Sequence, residues 1–477
     1  MLYEELAKQI TLTFNHTLTP EQADAVVSIS QFLATPRSMQ AFILRGYAGT
    51  GKTSLIGAIV RTMQQLEREV MLLAPTGRAA KVFSSHAGAP AYTIHKAIYR
   101  QQTFRGEDTR FSLGYNKIPH TLFIIDEASM LSNQGGAGSI FGTGLLLDDL
   151  IHYAYEAEGC RILFVGDVAQ LPPVGEALSP ALNADVLRGY GLSVAEADLT
   201  EVVRQAEGSD VLAAATHLRC LLSEDPTRMP HVETSDKGEV RFVSGADIVD
   251  ALSEAYSDCG TRDTIVVTRS NKQANVYNMG IRSRIFDRDD VLLRGDMVMA
   301  VKNNYFWTEK MAKTLGKDEA LPLDFIANGD TAEVMRVRNF HEMHGFHFAD
   351  ATLSFPDYDD FELDCRVLLD TLTSESPSLT TEESHRLYES VLADYMHIPS
   401  RSERMKALRE DVYYNALQIK FAYAVTCHKA QGGQWARVFV DQGYMPPDAT
   451  GAEYLRWLYT AFTRTTERLM LVNWANP

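Results

Sequence analysis

The sequence predicts an α/β protein made of two parallel, doubly wound units, with a small β-rich insertion in the second. Three observations predict it. An apolar run, Ala41 to Leu44, leads through Gly46-Tyr47-Ala48-Gly49-Thr50-Gly51-Lys52-Thr53 into a helix-like stretch, Ser54 to Met63. Apolar runs at Val70 to Ala74, Leu122 to Ile125, Arg161 to Val165 and Ile265 to Val267 then end in polar loops, several of them leading into helical pattern, the rhythm of a parallel sheet. Between Asp296 and about Asp370 the pattern changes to short β-rich pieces punctuated by Gly295-Asp296 and Gly329-Asp330, which read as a small barrel inserted in the second unit.

Size and composition agree with such a molecule. The 477 residues, at roughly 150 per domain, suggest about three domains, and 45% hydrophobic with 22% charged residues is a globular balance. The formal charge of −17 excludes a chain that coats nucleic acid through bulk charge, so a DNA or RNA partner requires cations gathered in one groove. Five scattered cysteines without a C-x-x-C pair indicate neither a disulfide framework nor a zinc site. The first residues lack signal-peptide shape and no apolar run approaches membrane-spanning length, so a cytoplasmic protein without a membrane partner is expected.

Taken in order, Thr19-Pro20-Glu21-Gln22 opens an amphipathic helix. Gln22 has two readings there: a capping-box partner of Thr19, or an amide that meets the edge of adenine. The glycines of the next loop let backbone N–H groups point at phosphate oxygens at the start of a helix. Lys52 would reach the β and γ phosphates, and Thr53 would hold Mg²⁺. Pro75 and Thr76 fall at the end of the second strand, where ligands of parallel sheets gather. Tyr99 to Phe104 and Thr109 to Tyr115 flank a turn and predict a hairpin, either a plain surface hairpin or a wedge with Phe104 or Phe111 meeting a base. Asp126-Glu127 ends a buried strand; paired carboxylates there call for a cation, with Asp126 holding the metal through water and Glu127 orienting the attacking water.

Gly135 to Gly144 reads as a connection without an assigned role. Gln170, in Gly166-Asp167-Val168-Ala169-Gln170-Leu171-Pro172-Pro173, is either a γ-phosphate sensor or a polar residue before a Pro-Pro turn. Leu199 to Gln205 places Arg204 at the edge of an expected helix. His341, His344 and His347 tempt a metal reading, but the run is H-E-x-H and Gly345 suits a hairpin turn better. Ser374 to Ser384 reads as an exposed linker, and Glu383 to Tyr414 as charged helix. Phe421 to Val425 then leads to Thr426-Cys427-His428-Lys429-Ala430-Gln431-Gly432-Gly433-Gln434-Trp435, and Arg464 lies where a second domain could press a cation on the γ-phosphate.

The ordered set Gln22, GYAGTGKT, APTGRAAKV with TIHK, DEAS, GDVAQLPPVG, TEVVRQ, AVTCHKAQGGQ and YTAFTRTTE resembles the superfamily 1 DNA helicases, and within them the RecD/Dda-like branch that moves 5′ to 3′. The resemblance runs from about Leu18 to Val472. It implies two RecA-like P-loop NTPase domains, residues 1–97 with 118–203 and residues 204–295 with 416–477. A β-hairpin wedge would occupy residues 98–117, and an SH3-like barrel with a helical extension residues 296–415.

It further implies a helicase that unwinds duplex with ATP and Mg²⁺ in replication, recombination or repair. Single-stranded DNA and its junctions with duplex would be the partners, beside a single-stranded DNA-binding protein. The alternative is a DNA-stimulated translocase or nucleotide-switched binding protein that separates no strands. Residue by residue, the resemblance implies that Gln22 reads adenine and that Gly46, Ala48, Gly49, Thr50, Gly51, Lys52 and Thr53 cradle the nucleotide. Lys52, Glu127, Gln170, Arg204 and Arg464 would be catalytic, with Thr53 and Asp126 on the metal. Pro75, Thr76, Thr93, His95, Lys96, Phe104, Thr426, His428 and Lys429 would line the DNA. Trp307 and Trp435 are either stacking or packing residues. Gln434 departs from the glutamate of many members, which puts the ribose contact in doubt, and Gly135 to Gly144 replaces the longer signature helix of one related group.

Overall fold

A computed structural model describes residues 2–102, 110–135, 142–203, 208–235, 237–314, 321–323, 325–443 and 451–474. The first lobe holds β1 (Gln40–Gly46), β2 (Val70–Ala74) and β3 (Ala91–Thr93), the hairpin strands β4 (Tyr99–Gln102) and β5 (Arg110–Leu113), then β6 (Leu122–Ile125), β7 (Arg161–Gly166) and β8 (Ser193–Leu199). Its main sheet runs β3-β2-β6-β7-β1-β8, and each pair is parallel. Ala41 to Leu44 and Phe123 to Ile125 are fully buried, which is why these strands read as unbroken apolar runs rather than alternating ones. Helices Pro20–Ala34 and Lys52–Gln65 cover one face through Val26, Ile29, Leu55 and Ile59. Helix Leu146–Glu156 covers the other through Leu147, Leu150 and Ile151.

The second lobe contains β9 (Val240–Val243) and β10 (Thr264–Thr268). Between them and the rest of their sheet are the barrel strands β11 (Met297–Ala300), β12 (Thr331–Met343), β13 (Phe346–Phe355), β14 (Phe361–Leu368) and β15 (Leu417–Phe421). The lobe resumes with β16 (Ala424–Thr426), β17 (Trp435–Asp441) and β18 (Thr465–Val472), giving a parallel sheet ordered β16-β10-β17-β18-β9. The barrel closes on itself as β11-β12-β13-β14-β15.

Several expectations need correction. The closing strand β15 lies beyond residue 415, so the barrel extends to Phe421 and takes the first residues assigned to the returning lobe. The run Phe421 to Val425 is split between β15 and β16, because Phe421 pairs with Val298 in the barrel and Ala424 with Val266 in the lobe. Leu199 ends a strand and Thr200 to Val203 is not helical; among the described residues the next helix is Asp210–Glu224. The hairpin turn expected around Gly345 is present: His344 and Gly345 form a two-residue turn with positive φ, 55° and 72°, and His341 and His347 lie on the strands to either side. Helices Thr381–Asp394 and Arg401–Arg409 pack Leu387, Val391 and Leu408 on Phe346 and Phe348, so the charged segment is a docked extension of the barrel. Among the described residues no helix is long and apolar enough to cross a membrane.

Candidate active site

The site begins where β1 ends. Gly49 and Gly51 have φ of 77° and 79°, a left-handed backbone that favours glycine, and they curl the chain into the helix Lys52–Gln65. A Cβ on Gly51 would lie 2.6 Å from Gln22 Nε2, so only glycine lets the loop pass beneath that amide. Lys52 Nζ donates to the carbonyls of Gly46 (2.6 Å) and Tyr47 (2.8 Å), which keeps the ammonium folded over the loop. Thr50 Oγ1 donates to Tyr47 O at 2.8 Å, and Thr53 is the second residue of the helix. The curled backbone, the positive helix start and the lysine fit a polyphosphate.

Gln22 is 1% exposed and both ends of its amide are engaged. Its Oε1 accepts from Thr19 N (3.0 Å) in a capping box, and its Nε2 donates to Thr50 O (2.9 Å). In this arrangement the amide braces the phosphate loop. Reading adenine would require it to exchange one of these bonds.

Near the loop, β6 leads into Asp126 and Glu127. Burial, with the Glu127 charge beside it, raises the Asp126 carboxyl well above its ordinary range, while Lys52 opposes the shift. Glu127 N donates to Asp126 Oδ1 at 2.9 Å, and Glu127 has φ of 49°, a left-handed turn that carries its side chain away from the strand. Two carboxylates buried side by side leave negative charge that Lys52 only partly offsets. A divalent cation fits that need, with Thr53 and Asp126 as the residues to hold it.

Arg464 of the second lobe reaches this pair. It is 4% exposed, donates from Nε to Thr460 O (3.0 Å), and brings Nη1 to 3.6 Å from Glu127 Oε1. Gln170 is also buried, at 7% exposure, and its Oε1 has no hydrogen-bond partner among the described residues. Arg204 and Phe104 lie outside the described residues.

The residues expected to line DNA fall in two groups. Pro75, Thr93, His95 and Lys96 share a cavity of about 410 Å³ that barrel residues Phe325 and Tyr358 close from the far side. Thr76 and Thr93 start helices by accepting from Ala79 N and Lys96 N, each at 3.2 Å. Burial lowers His95 to about 4, so its ring is neutral at pH 7 and offers stacking rather than charge. Thr426 ends β16 in the second lobe, and His428 and Lys429 follow it; Lys429 donates to Asn328 and burial lowers its ammonium to about 8. The groups approach where Gly432 faces Thr76 and Ala79; a Cβ there would meet Ala79 Cβ at 3.0 Å.

The two tryptophans are packing residues. Trp307, 6% exposed, donates to Asn415 O (2.8 Å). Trp435, equally buried, lies 4.0 Å beneath the Arg78 guanidinium, which itself donates to Gln434 O at 2.8 Å. This clasp between lobes was not expected from the sequence. In the hairpin, β4 and β5 pair antiparallel, and Phe111 lies 4.4 Å from the ring of Tyr305.

Sequence reasoning also missed Arg456, Tyr459 and Thr460 on helix Ala452–Phe462, which all bond the first lobe. Their spacing, one helical face just ahead of Arg464, was the available signal.

The fold and site thus define a two-lobed α/β protein with a P-loop in its first lobe, against which the second lobe sets Arg464. Family comparison adds the rest. The family model described as AAA domain matches residues 17–228, and that described as UvrD-like helicase C-terminal domain matches residues 421–472. The chain is 33% identical over 433 residues to the ATP-dependent RecD2 DNA helicase of Deinococcus radiodurans, covering 89% of this chain and 46% of that one. It is 25% identical over 268 residues to the ATP-dependent DNA helicase dda of Enterobacteria phage T4, 54% of this chain and 55% of that one. The Pif1 helicase of Candida albicans is similar in structure with a TM-score of 0.44 at 15% identity, over 97% of this chain and 95% of that one. The chain is thus similar to superfamily 1 helicases of the RecD/Dda-like branch, and it spans 46% of the length of RecD2.

Proposed function

We propose that the protein is an ATP-dependent DNA helicase that moves 5′ to 3′ on single-stranded DNA in the cytoplasm and separates duplex at the hairpin of β4 and β5. One observation carries the reading: Arg464 of the second lobe stands 3.6 Å from Glu127 of the first, so the hydrolytic site is complete only when the lobes meet. The same two lobes carry the track residues, which couples phosphate chemistry to movement along a strand.

Lys52 would leave the Gly46 and Tyr47 carbonyls for the β and γ phosphates. Thr53 and Asp126 would hold Mg²⁺, which when bound supplies charge neutralisation at the phosphates. Glu127 would orient the attacking water and accept its proton, Gln170 would sense the γ-phosphate, and Arg464 with Arg204 would stabilise charge in the transition state. Neutral His95 and the threonines at helix starts suit a strand gripped by its phosphates and base faces, with little sequence preference. The support for DNA over RNA is the similarity to RecD2 and dda, both DNA helicases, and the support for polarity is the resemblance of the ordered motifs to the RecD/Dda-like branch.

Strand displacement on substrates with 5′ and 3′ tails, in DNA and RNA, tests this. Unwinding of 5′-tailed DNA is expected, and Lys52→Ala abolishes DNA-stimulated hydrolysis while sparing DNA binding. Unwinding retained by Lys52→Ala would sink the reading; hydrolysis on DNA without unwinding by the wild type would favour a translocase.

A further inference from the structure

We infer that Tyr459 is a positioning residue for nucleotide hydrolysis, whose hydroxyl ties the phosphate loop to the Asp167 carboxylate and so fixes the loop when the lobes are closed. The inference rests on the ATP-hydrolysis reading above and adds a residue to it.

Tyr459 sits on helix Ala452–Phe462 of the second lobe and is 2% exposed. Its hydroxyl accepts from Ala48 N at 2.8 Å and donates to Asp167 Oδ2 at 2.6 Å. Both partners belong to the first lobe. Asp167 is also 2% exposed, and its other oxygen accepts from Ala169 N at 2.9 Å.

The Ala48 N–H and the Tyr47 carbonyl are two ends of one peptide unit. Lys52 Nζ holds the carbonyl at 2.8 Å while Tyr459 holds the N–H. Turning that peptide re-aims the oxygen on which the phosphate-binding lysine rests. Tyr459 is therefore placed to set the resting position of Lys52 without touching nucleotide.

Neighbours on the same helix face hold the Gln170 loop. Arg456 donates to the carbonyls of Val168 and Gln170, and Thr460 Oγ1 accepts from Leu171 N at 2.8 Å. From outside the helix, Gln431 Nε2 donates to Leu171 O at 2.8 Å. The segment from Asp167 to Leu171 thus follows the second lobe, and Tyr459 extends that grip to the phosphate loop. Only a group that donates and accepts at once can make this bridge, which a tyrosine hydroxyl does and a phenylalanine ring does not.

The bond spans the lobes, so its contribution is made in the closed arrangement rather than when nucleotide first enters the open first lobe. Its loss should fall on kcat and leave KM unchanged. Tyr459→Phe in the full chain, assayed at saturating single-stranded DNA, is expected to lower kcat for ATP hydrolysis about fivefold, the worth of one net hydrogen bond, with KM within about twofold. Asp167→Asn provides the second variant, and the double variant should be no worse than the weaker single one, because the residues act as one unit. Circular dichroism and the affinity for a fluorescent ADP analogue without DNA check that the first lobe is intact.

A kcat within about twofold of wild type overturns the inference, as does a KM that rises at constant kcat, or an additive double variant. Wild-type protein that hydrolyses no ATP on DNA would instead defeat the functional reading itself.

Discussion

Asp330 gives a prediction whose size follows from its surroundings. The residue follows Gly329 at the foot of β12, is 5% exposed, and faces the first lobe; a Cβ on Gly77 would lie 3.2 Å from its Oδ1. It accepts from Ala327 N at 2.7 Å and from the Tyr358 hydroxyl at 3.3 Å, with Lys429 and Asp357 as the charges that face it. Burial raises its carboxyl from 3.8 to about 7. At about 1.4 kcal/mol per pH unit, the ionised form is disfavoured by about 4 kcal/mol. Water entry and charge relaxation cut this to about 2 kcal/mol.

Because the folded value is the higher one, Asp330 contributes its stability below about pH 4, and that contribution is lost as pH rises through 7. Asp330→Asn keeps an acceptor for Ala327 N and Tyr358 but cannot ionise. At about 2–4 °C per kcal/mol, it should melt several degrees above wild type at pH 8, and the gap should close as pH falls toward 4. Differential scanning fluorimetry at matched ionic strength measures this. An asparagine variant that melts at or below wild type at pH 8, or a gap independent of pH, would refute the reasoning.

Two further substitutions probe the hairpin and the clasp. Phe111→Ala removes the ring contact with Tyr305, worth about 1 kcal/mol, and should slow strand separation on a forked substrate while DNA-stimulated ATPase persists. Unchanged unwinding would show that the hairpin is not a wedge. Arg78→Ala removes the stack on Trp435 and the bond to Gln434 O, together about 1–2 kcal/mol of lobe closure. The DNA concentration for half-maximal ATPase should rise about tenfold; an unchanged value would mean that the clasp does not limit closure.

Much of the architecture could be read because parallel strands buried on both faces leave unbroken apolar runs, as at Ala41 to Leu44 and Leu122 to Ile125. Shorter or edge strands left no such mark: β8 alternates Glu196 and Asp198 with apolar residues because one side faces solvent, where both acids pair with Arg45. The Gly-Asp pairs were legible as turns but not as buried charges. Asp296 is fully buried, held by Arg282 and Arg288 at the root of the barrel, and Asp330 seals the barrel against the first lobe. The arginines on Asp296 stand 14 and 8 positions before it and Tyr358 stands 28 positions after Asp330, separations that follow no helix or strand period, so spacing along the chain does not reveal them.

The same limit explains what was missed at the site. The phosphate loop and the Asp126-Glu127 pair announce themselves through local sequence, since each works through adjacent residues. Tyr459 works through Ala48 and Asp167, 411 and 292 positions away. In sequence it is one more ring in the largely apolar helix Ala452–Phe462, and its ring is indeed packed; only its hydroxyl reaches the cleft. A helix that is apolar nearly all round but carries Arg456, Tyr459 and Thr460 on one face has polar tips that must find partners once buried. That face precedes Arg464 by one to two turns. Lobe closure therefore brings a row of hydrogen-bonding groups to the phosphate loop together with the Arg464 guanidinium, and hydrolysis should depend on their register with the loop as well as on the charge of Arg464.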